Sequence, residues 1–249
     1  MSDDWRFFMC QMGEHLASIM VDVGVAKTID NTPSTLARLR LDYKRPSDNG
    51  LPTDEEFDAV VALEDRLEKF AAEVGDAYVG RCTTRGHRHF HIYTSRDEKA
   101  WISFVHELQH ESGYRIGLSV EQDPERIGYW KELYPTPDDW RVIHDMAVVE
   151  QLKKSGDDPS IHRQIDHWIY FPNEAASHPF VAWATADRFV HDAQHSQAGK
   201  DGRYCVRLHH IGPAEQRDVS SHTLALAHRA KEFGGEYDGW ETSVEKSKD

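Results

Sequence analysis

Cysteine is scarce in this chain. Cys10, Cys82 and Cys205 are the only three in 249 residues, and no two form a CxxC pair. That spacing excludes a disulfide framework and a thiolate zinc knuckle, and it fits a reducing cytoplasm. Long apolar runs are missing as well: nothing approaches the roughly 20 residues of a membrane span. The start, Met1-Ser-Asp-Asp, has neither a basic n-region nor an apolar h-region, so no secretory signal is expected. Phosphate-cradling and nucleophile motifs are equally absent. There is no GxGxxG, no GxxxxGK[ST], no GxSxG and no calcium loop, which removes the usual sequence basis for dinucleotide, phosphoryl and acyl chemistry. No cofactor is expected.

Positive charge is in short supply. Lys and Arg number 29 against 43 Asp and Glu, a net charge of −14. Such a surface repels phosphate backbones and attracts basic partners, so direct nucleic-acid binding is disfavoured and a protein with a basic surface is the expected partner. Plain solubility explains the same charge.

What is present is an alternation of strand and helix patterns. Trp5–Met12 and His15–Val23 read as a hairpin turning at Gly13-Glu14. From Thr35 the order is strand, helix, strand, strand, helix, strand. The two helices open at apparent capping boxes, Thr53 with Glu56 and Ser95 with Glu98. Tyr134-Pro-Thr-Pro137 is the best boundary. After it come a helix and the best strand signal of the chain, the stretch from His162 to Pro172. A second helix holds Pro179 in its first turn or kinked, strands follow at Phe189–Ser196 and Arg203–Ile211, then a helix from about Arg217 and a last strand near Tyr237–Val244. The expected fold class is α+β: two ferredoxin-like βαββαβ sandwiches in tandem, over residues 1–134 and 138–249, with an extra N-terminal β-hairpin.

Three constellations compete for function. His106-Glu-Leu-Gln-His110 is a literal HExxH, the zinc-peptidase pattern. Yet Trp101, Phe104, Val105 and Leu108 define the buried stripe of that helix, and the two histidines point away from it. No third ligand is apparent, so the match is read as chance. His87, His89 and His91 share one face of a strand, a spacing that suits zinc but has no fourth ligand nearby; an outward or interdomain sheet face is the preferred reading. No metal site is assigned. In the stretch from His162 to Pro172, Ile165, His167, Ile169 and Phe171 share one face, while Asp166, Trp168 and Tyr170 share the other. Glu236, Tyr237, Asp238 and Trp240 echo that acidic-aromatic character near the end of the chain. These seven are the candidate partner-binding residues, since aromatics make hot spots and carboxylates attract cations. Simple packing of Trp168 and Trp240 between the two domains is the preferred reading of those two rings.

Two resemblances add to this reading. Gly50-Leu-Pro-Thr-Asp-Glu-Glu56, Leu63-Glu-Asp-Arg-Leu-Glu68, Gly80-Arg-Cys-Thr-Thr-Arg-Gly86 and Glu132-Leu-Tyr-Pro-Thr-Pro137 resemble the bacterial family called domain of unknown function 695, which implies no activity. Gly156-Asp-Asp158, Ile165-Asp-His-Trp-Ile-Tyr-Phe171 and Gly234-Gly-Glu-Tyr-Asp-Gly-Trp-Glu241 resemble regulator of ribonuclease activity B, RraB. That second resemblance implies a ferredoxin-like, non-catalytic protein that binds a ribonuclease E-type endonuclease and lowers its activity. The departure is that such a regulator acts alone, whereas here the domain follows another. Two rivals stay open: a zinc-dependent hydrolase using the HELQH segment, and a structural dimerisation module in which open sheets pair face to face. A homo-oligomer is compatible with either of the non-enzymatic readings.

Overall fold

The computed structural model describes residue 2, residues 4–199 and residues 201–247. It has two compact units, Met1–Asp139 and Trp140–Asp249, each built on an antiparallel sheet. Among the described residues six α-helices accompany the two sheets, so the fold is α+β.

The first unit opens with the hairpin β1 (Trp5–Met12) and β2 (His15–Asp22), turning at Gly13 with φ 67°. Then follow β3 (Thr35–Asp42), α1 (Asp54–Ala72), β4 (Ala77–Thr84), β5 (His87–Thr94), α2 (Glu98–Ser112), β6 (Arg115–Gln122) and the single turn α3 (Ile127–Trp130). The sheet order is β1-β2-β4-β5-β3-β6. The period-2 pattern of β3 explains the layering. Ala37, Leu39 and Leu41 point to the helices and meet the stripe Trp101, Phe104, Val105 and Leu108 of α2. The opposite face is crossed by the segment after β6. A Cβ on Gly80 would lie 3.1 Å from Leu133 Cδ1, and one on Gly128 would lie 2.4 Å from Leu36 Cδ2, so both glycines let this segment approach the sheet. Tyr129 is fully buried and its hydroxyl donates to the Asp22 carbonyl at 2.9 Å.

Neither expected capping box forms. Thr53 makes no side-chain cap, and the Glu56 carboxylate turns not to the Thr53 N–H but to the backbone N–H groups of Lys44 and Arg45, at 2.8 and 3.1 Å, and to the Tyr114 hydroxyl. At α2 the N-cap is Asp97, which accepts from Ala100 N at 2.8 Å, while Ser95 is bonded to Asp76. Both helices keep acidic first turns, which suits their dipoles.

The second unit contains all but the first three residues of α4 (Pro137–Lys154), then β7 (Arg163–Phe171), α5 (Glu174–Ala186), β8 (Val190–His191), β9 (Gln197–Ala198), β10 (Tyr204–Gly212), α6 (Gln216–Glu232) and β11 (Glu236–Thr242). Its sheet order is β11-β7-β10-β8, with β9 also on β10. Ile169, Phe171, Val206 and Leu208 pack beneath Phe180, Ala184, Leu226 and Ala230 of the helices. The strand expected over Phe189–Ser196 is reduced to two residues, since Asp192 turns the chain and accepts from Ser196 N at 3.1 Å. Pro179 lies inside α5 rather than in its first turn. No helix of the described residues is long and apolar enough to cross a membrane.

Candidate functional site

The alternation along β7 sorts its side chains as the sequence requires. Ile165, His167, Ile169 and Phe171 are buried toward the helices, leaving Asp166, Trp168 and Tyr170 on the other face. Register then builds a ladder on that outer face. Across β10, Trp168 opposes Arg207 and Tyr170 opposes Cys205; across β11, Tyr170 opposes Glu236 and Asp166 opposes Glu241.

The ladder is cationic as well as acidic. The Arg207 guanidinium lies 5.3 Å from the Trp168 ring centre and pairs with Asp166 at 3.3 Å. The Arg203 guanidinium lies 4.6 Å from the Tyr170 ring and pairs with Asp201 at 2.7 Å and Glu236 at 3.0 Å. Asp166 also accepts from Gln164 Nε2 at 3.0 Å. Aromatic faces attract cations through their quadrupole, and here each of the two rings already holds one. Glu236, Asp238 and Glu241 stand at the exposed margin of this face.

The seven sequence candidates do not share one face. β11 carries a bulge between Tyr237 and Gly239. The bulge adds one residue, Asp238, and so puts both Tyr237 and Trp240 on the helix side, opposite Ile169 and His167 of β7. Tyr237 is buried and its hydroxyl is 2.9 Å from His167 Nδ1. Trp240 Nε1 donates to Asp145 Oδ1 of α4 at 2.9 Å. Asp145 also accepts from Ser220 at 2.9 Å and Thr223 at 2.7 Å. Burial raises its carboxyl above the ordinary aspartate value despite those three donors. Asp166, Trp168, Tyr170, Glu236 and Asp238 remain together on the outer side. The two arginines that complete this face were not singled out by sequence. Their signal was parity: Arg203, Cys205 and Arg207 alternate with the apolar Tyr204, Val206 and Leu208.

Beneath the same strand lies a column of histidines. His167 Nε2 is 3.0 Å from His210 Nδ1, and the His210 and His222 rings stack at 4.0 Å. Phe189 is edge-on to all three rings. Burial holds His167 well below the usual imidazole value and lowers His210 to about 4, the neighbouring histidines adding to both shifts.

The other constellations are dispersed. His106 and His110 are exposed on α2, and Glu107 between them faces Arg66 of α1 at 3.4 Å. His91 is buried and bonded to Glu132 at 2.8 Å, while burial lowers the half-buried His89 to about 4. Among the described residues, no three His, Cys, Asp or Glu side chains are grouped so as to hold a metal ion. Burial also pushes the thiols up, Cys10 to about 11 and Cys82 to about 12, so neither is poised as a nucleophile.

With this geometry in hand, comparison with known families gives two matches. The model described as a family of unknown function (DUF695) matches residues 3–134. The model described as regulator of ribonuclease activity B (RraB) matches residues 142–242. No curated protein matches the chain significantly.

Proposed function

This chain belongs to the family of unknown function DUF695, and with an RraB-type second half as the further premise we propose that it is a non-catalytic, acidic regulatory protein of the cytoplasm that acts on a ribonuclease E-type endonuclease by protein contact. The observation that carries the reading is the RraB match over residues 142–242, within which the acidic-aromatic face falls. The order β11-β7-β10-β8, with α5 and α6 as crossovers, supports a ferredoxin-like second half; the order β4-β5-β3-β6 supports the same for the first, with β1 and β2 as the added hairpin.

The contact would be electrostatic and aromatic. Trp168 accepts a guanidinium from Arg207 of β10 and Tyr170 one from Arg203 just before that strand, so the face has the chemistry to take further cations from a basic segment. Glu236 and Asp238 at its margin would steer that segment in, and the net charge of −14 would speed the encounter. No chemical step is assigned to the chain. Exposed His106 and His110, with Glu107 turned to Arg66, support leaving the HELQH segment out of the function.

The test is binding of the full chain to a purified ribonuclease E-type endonuclease at low and high salt, with RNA cleavage followed in parallel. Binding that weakens with salt, together with slower cleavage, is the expected result. Absence of binding at low salt would remove the reading.

A further inference from the structure

Among the described residues five strands lie at the sheet edges, β1, β6, β8, β9 and β11, and four of them carry features that discourage pairing with another chain. β8 and β9 are two residues long each. β11 is interrupted by its bulge and studded with Glu236, Asp238 and Glu241. β6 exposes Arg115, Gly117, Ser119 and Glu121 along its length. β1 is the exception. Trp-Arg-Phe-Phe-Met-Cys-Gln-Met runs eight residues without a bulge, proline or lysine, with Arg6 as its one charge.

The direction of its free backbone groups follows from one bond. Val23 N–H donates to the Asp4 carbonyl at 2.9 Å, in the same register that pairs Trp5 with Asp22 and Met12 with His15. Hydrogen-bonded pairs alternate in an antiparallel ladder, so Arg6, Phe8, Cys10 and Met12 turn their N–H and C=O groups to β2. Trp5, Phe7, Met9 and Gln11 turn theirs outward, where the sheet order places no strand among the described residues.

We propose that β1 is a homodimerisation edge: a second copy of this chain pairs antiparallel through its own β1, joining two six-stranded sheets into one of twelve strands. The occupant is a second copy because the strand is complementary to itself. Centred on Phe8, the two-fold pairing sets Phe7 of one copy opposite Met9 of the other and Trp5 opposite Gln11. All four outward residues then exchange backbone bonds, about eight in total. Arg6 falls opposite Cys10, and no like charges oppose one another. That local neutrality matters in a chain of net charge −14, whose copies otherwise repel. Phe7, 43% exposed, and Met12, 38% exposed, are the apolar surface the pairing would cover. The interface is isologous and closes at two copies, since each has one such edge. It uses the edge of a sheet rather than its face, and it does not depend on the ribonuclease reading.

Sedimentation velocity of the full chain across a concentration series tests it, with Met9→Pro and Phe7→Lys as variants. Met9→Pro removes an outward N–H that β2 does not use, and Phe7→Lys places a charge at an exposed edge position. The expected result is a reversible dimer for the parent chain and monomers for both variants, each with unchanged far-UV circular dichroism. Phe8→Cys in a Cys10→Ser background adds a register check, because a central non-hydrogen-bonded pair has Cα atoms about 4.5 Å apart, within disulfide reach. A parent chain that stays monomeric throughout, or a dimer that survives Phe7→Lys in folded protein, overturns the proposal.

Discussion

His167 Nε2 and His210 Nδ1 face each other at 3.0 Å across β7 and β10, with both rings buried in the second unit. Only one proton fits between two imidazole nitrogens, so this pair is stable when at least one ring is neutral. Burial is the first cause of both lowered values, and the mutual repulsion of protonated rings adds to it. Other charged or titratable groups near the pair are His222 of α6, His209 of β10, Tyr237 of β11, and Arg141 over the Tyr237 ring.

The first prediction is therefore an acid-sensitive second unit. An imidazole ordinarily titrates near 6.5, as it would in the unfolded chain, while burial in the folded unit lowers His210 to about 4. Between those values the unfolded state binds more protons, so its stabilising effect is full above pH 6.5 and is lost as pH falls toward 4. The loss at His210 alone is about 3 kcal/mol at 1.36 kcal/mol per unit. Urea midpoints measured from pH 7 to pH 4 should fall, and His210→Phe should flatten the decline. A parallel decline in that variant would assign the acid sensitivity elsewhere.

A second prediction concerns Glu64 of α1, which is buried in the first unit and accepts from Tyr78 at 2.7 Å and from Arg88 at 3.0 Å, with Arg81 as a further partner. Arg88 is itself buried. Glu64→Ala leaves a guanidinium without its counter-charge, a change that typically destabilises by about 3–5 kcal/mol. Thermal unfolding should show the loss in the first unit. A melting temperature within a degree or two of the parent would mean that Arg88 finds water instead.

How far the sequence could carry this is seen at two strands. Along β7 the period-2 alternation assigns every side chain to its face, because a regular strand leaves no freedom. Along β11 the same rule fails, since a bulge at Asp238 adds a residue that no periodicity announces. The capping boxes fail for another reason. Glu56 has the right spacing from Thr53, but tertiary donors at Lys44, Arg45 and Tyr114 outcompete a local one. Likewise the cations on Trp168 and Tyr170 come from Arg207 in β10 and Arg203 just before it, more than thirty residues downstream, and the pairing of β10 with β7 brings them there. The geometry of α2 was legible: the apolar stripe alone turned His106 and His110 outward.

Those exposed histidines give a third prediction. An i, i+4 pair on a solvent face can pick up a metal ion adventitiously, but a catalytic zinc site requires a third ligand and an open water position. Purified protein dialysed against a weak chelator should retain far less than one zinc per chain, and His106→Ala should leave thermal stability within about 0.5 kcal/mol of the parent. Stoichiometric zinc surviving dialysis and lost with His106→Ala would restore the hydrolase reading.

The last prediction separates the two tryptophans that look alike in sequence. Trp168 lies on the outer face against Arg207, whereas Trp240 reaches inward to Asp145. If the outer face docks a basic segment, Trp168→Ala should weaken binding to the endonuclease about tenfold or more, a hot-spot effect of about 1.4 kcal/mol or larger. Its effect on the fold should be small, because the outer ring is only half-buried. Trp240→Phe keeps most of the apolar ring but removes the donor to Asp145. It should lower stability by about 1–3 kcal/mol, through a buried carboxylate left one partner short, and leave affinity unchanged in protein that remains folded. Tyr170→Ala should follow Trp168→Ala, since Arg203 holds it in the same manner. Equal losses of affinity from Trp168→Ala and Trp240→Phe would show that binding reports the integrity of the unit and not contact at its outer face. Unchanged affinity in a folded Trp168→Ala protein would move the docking site off β7 altogether.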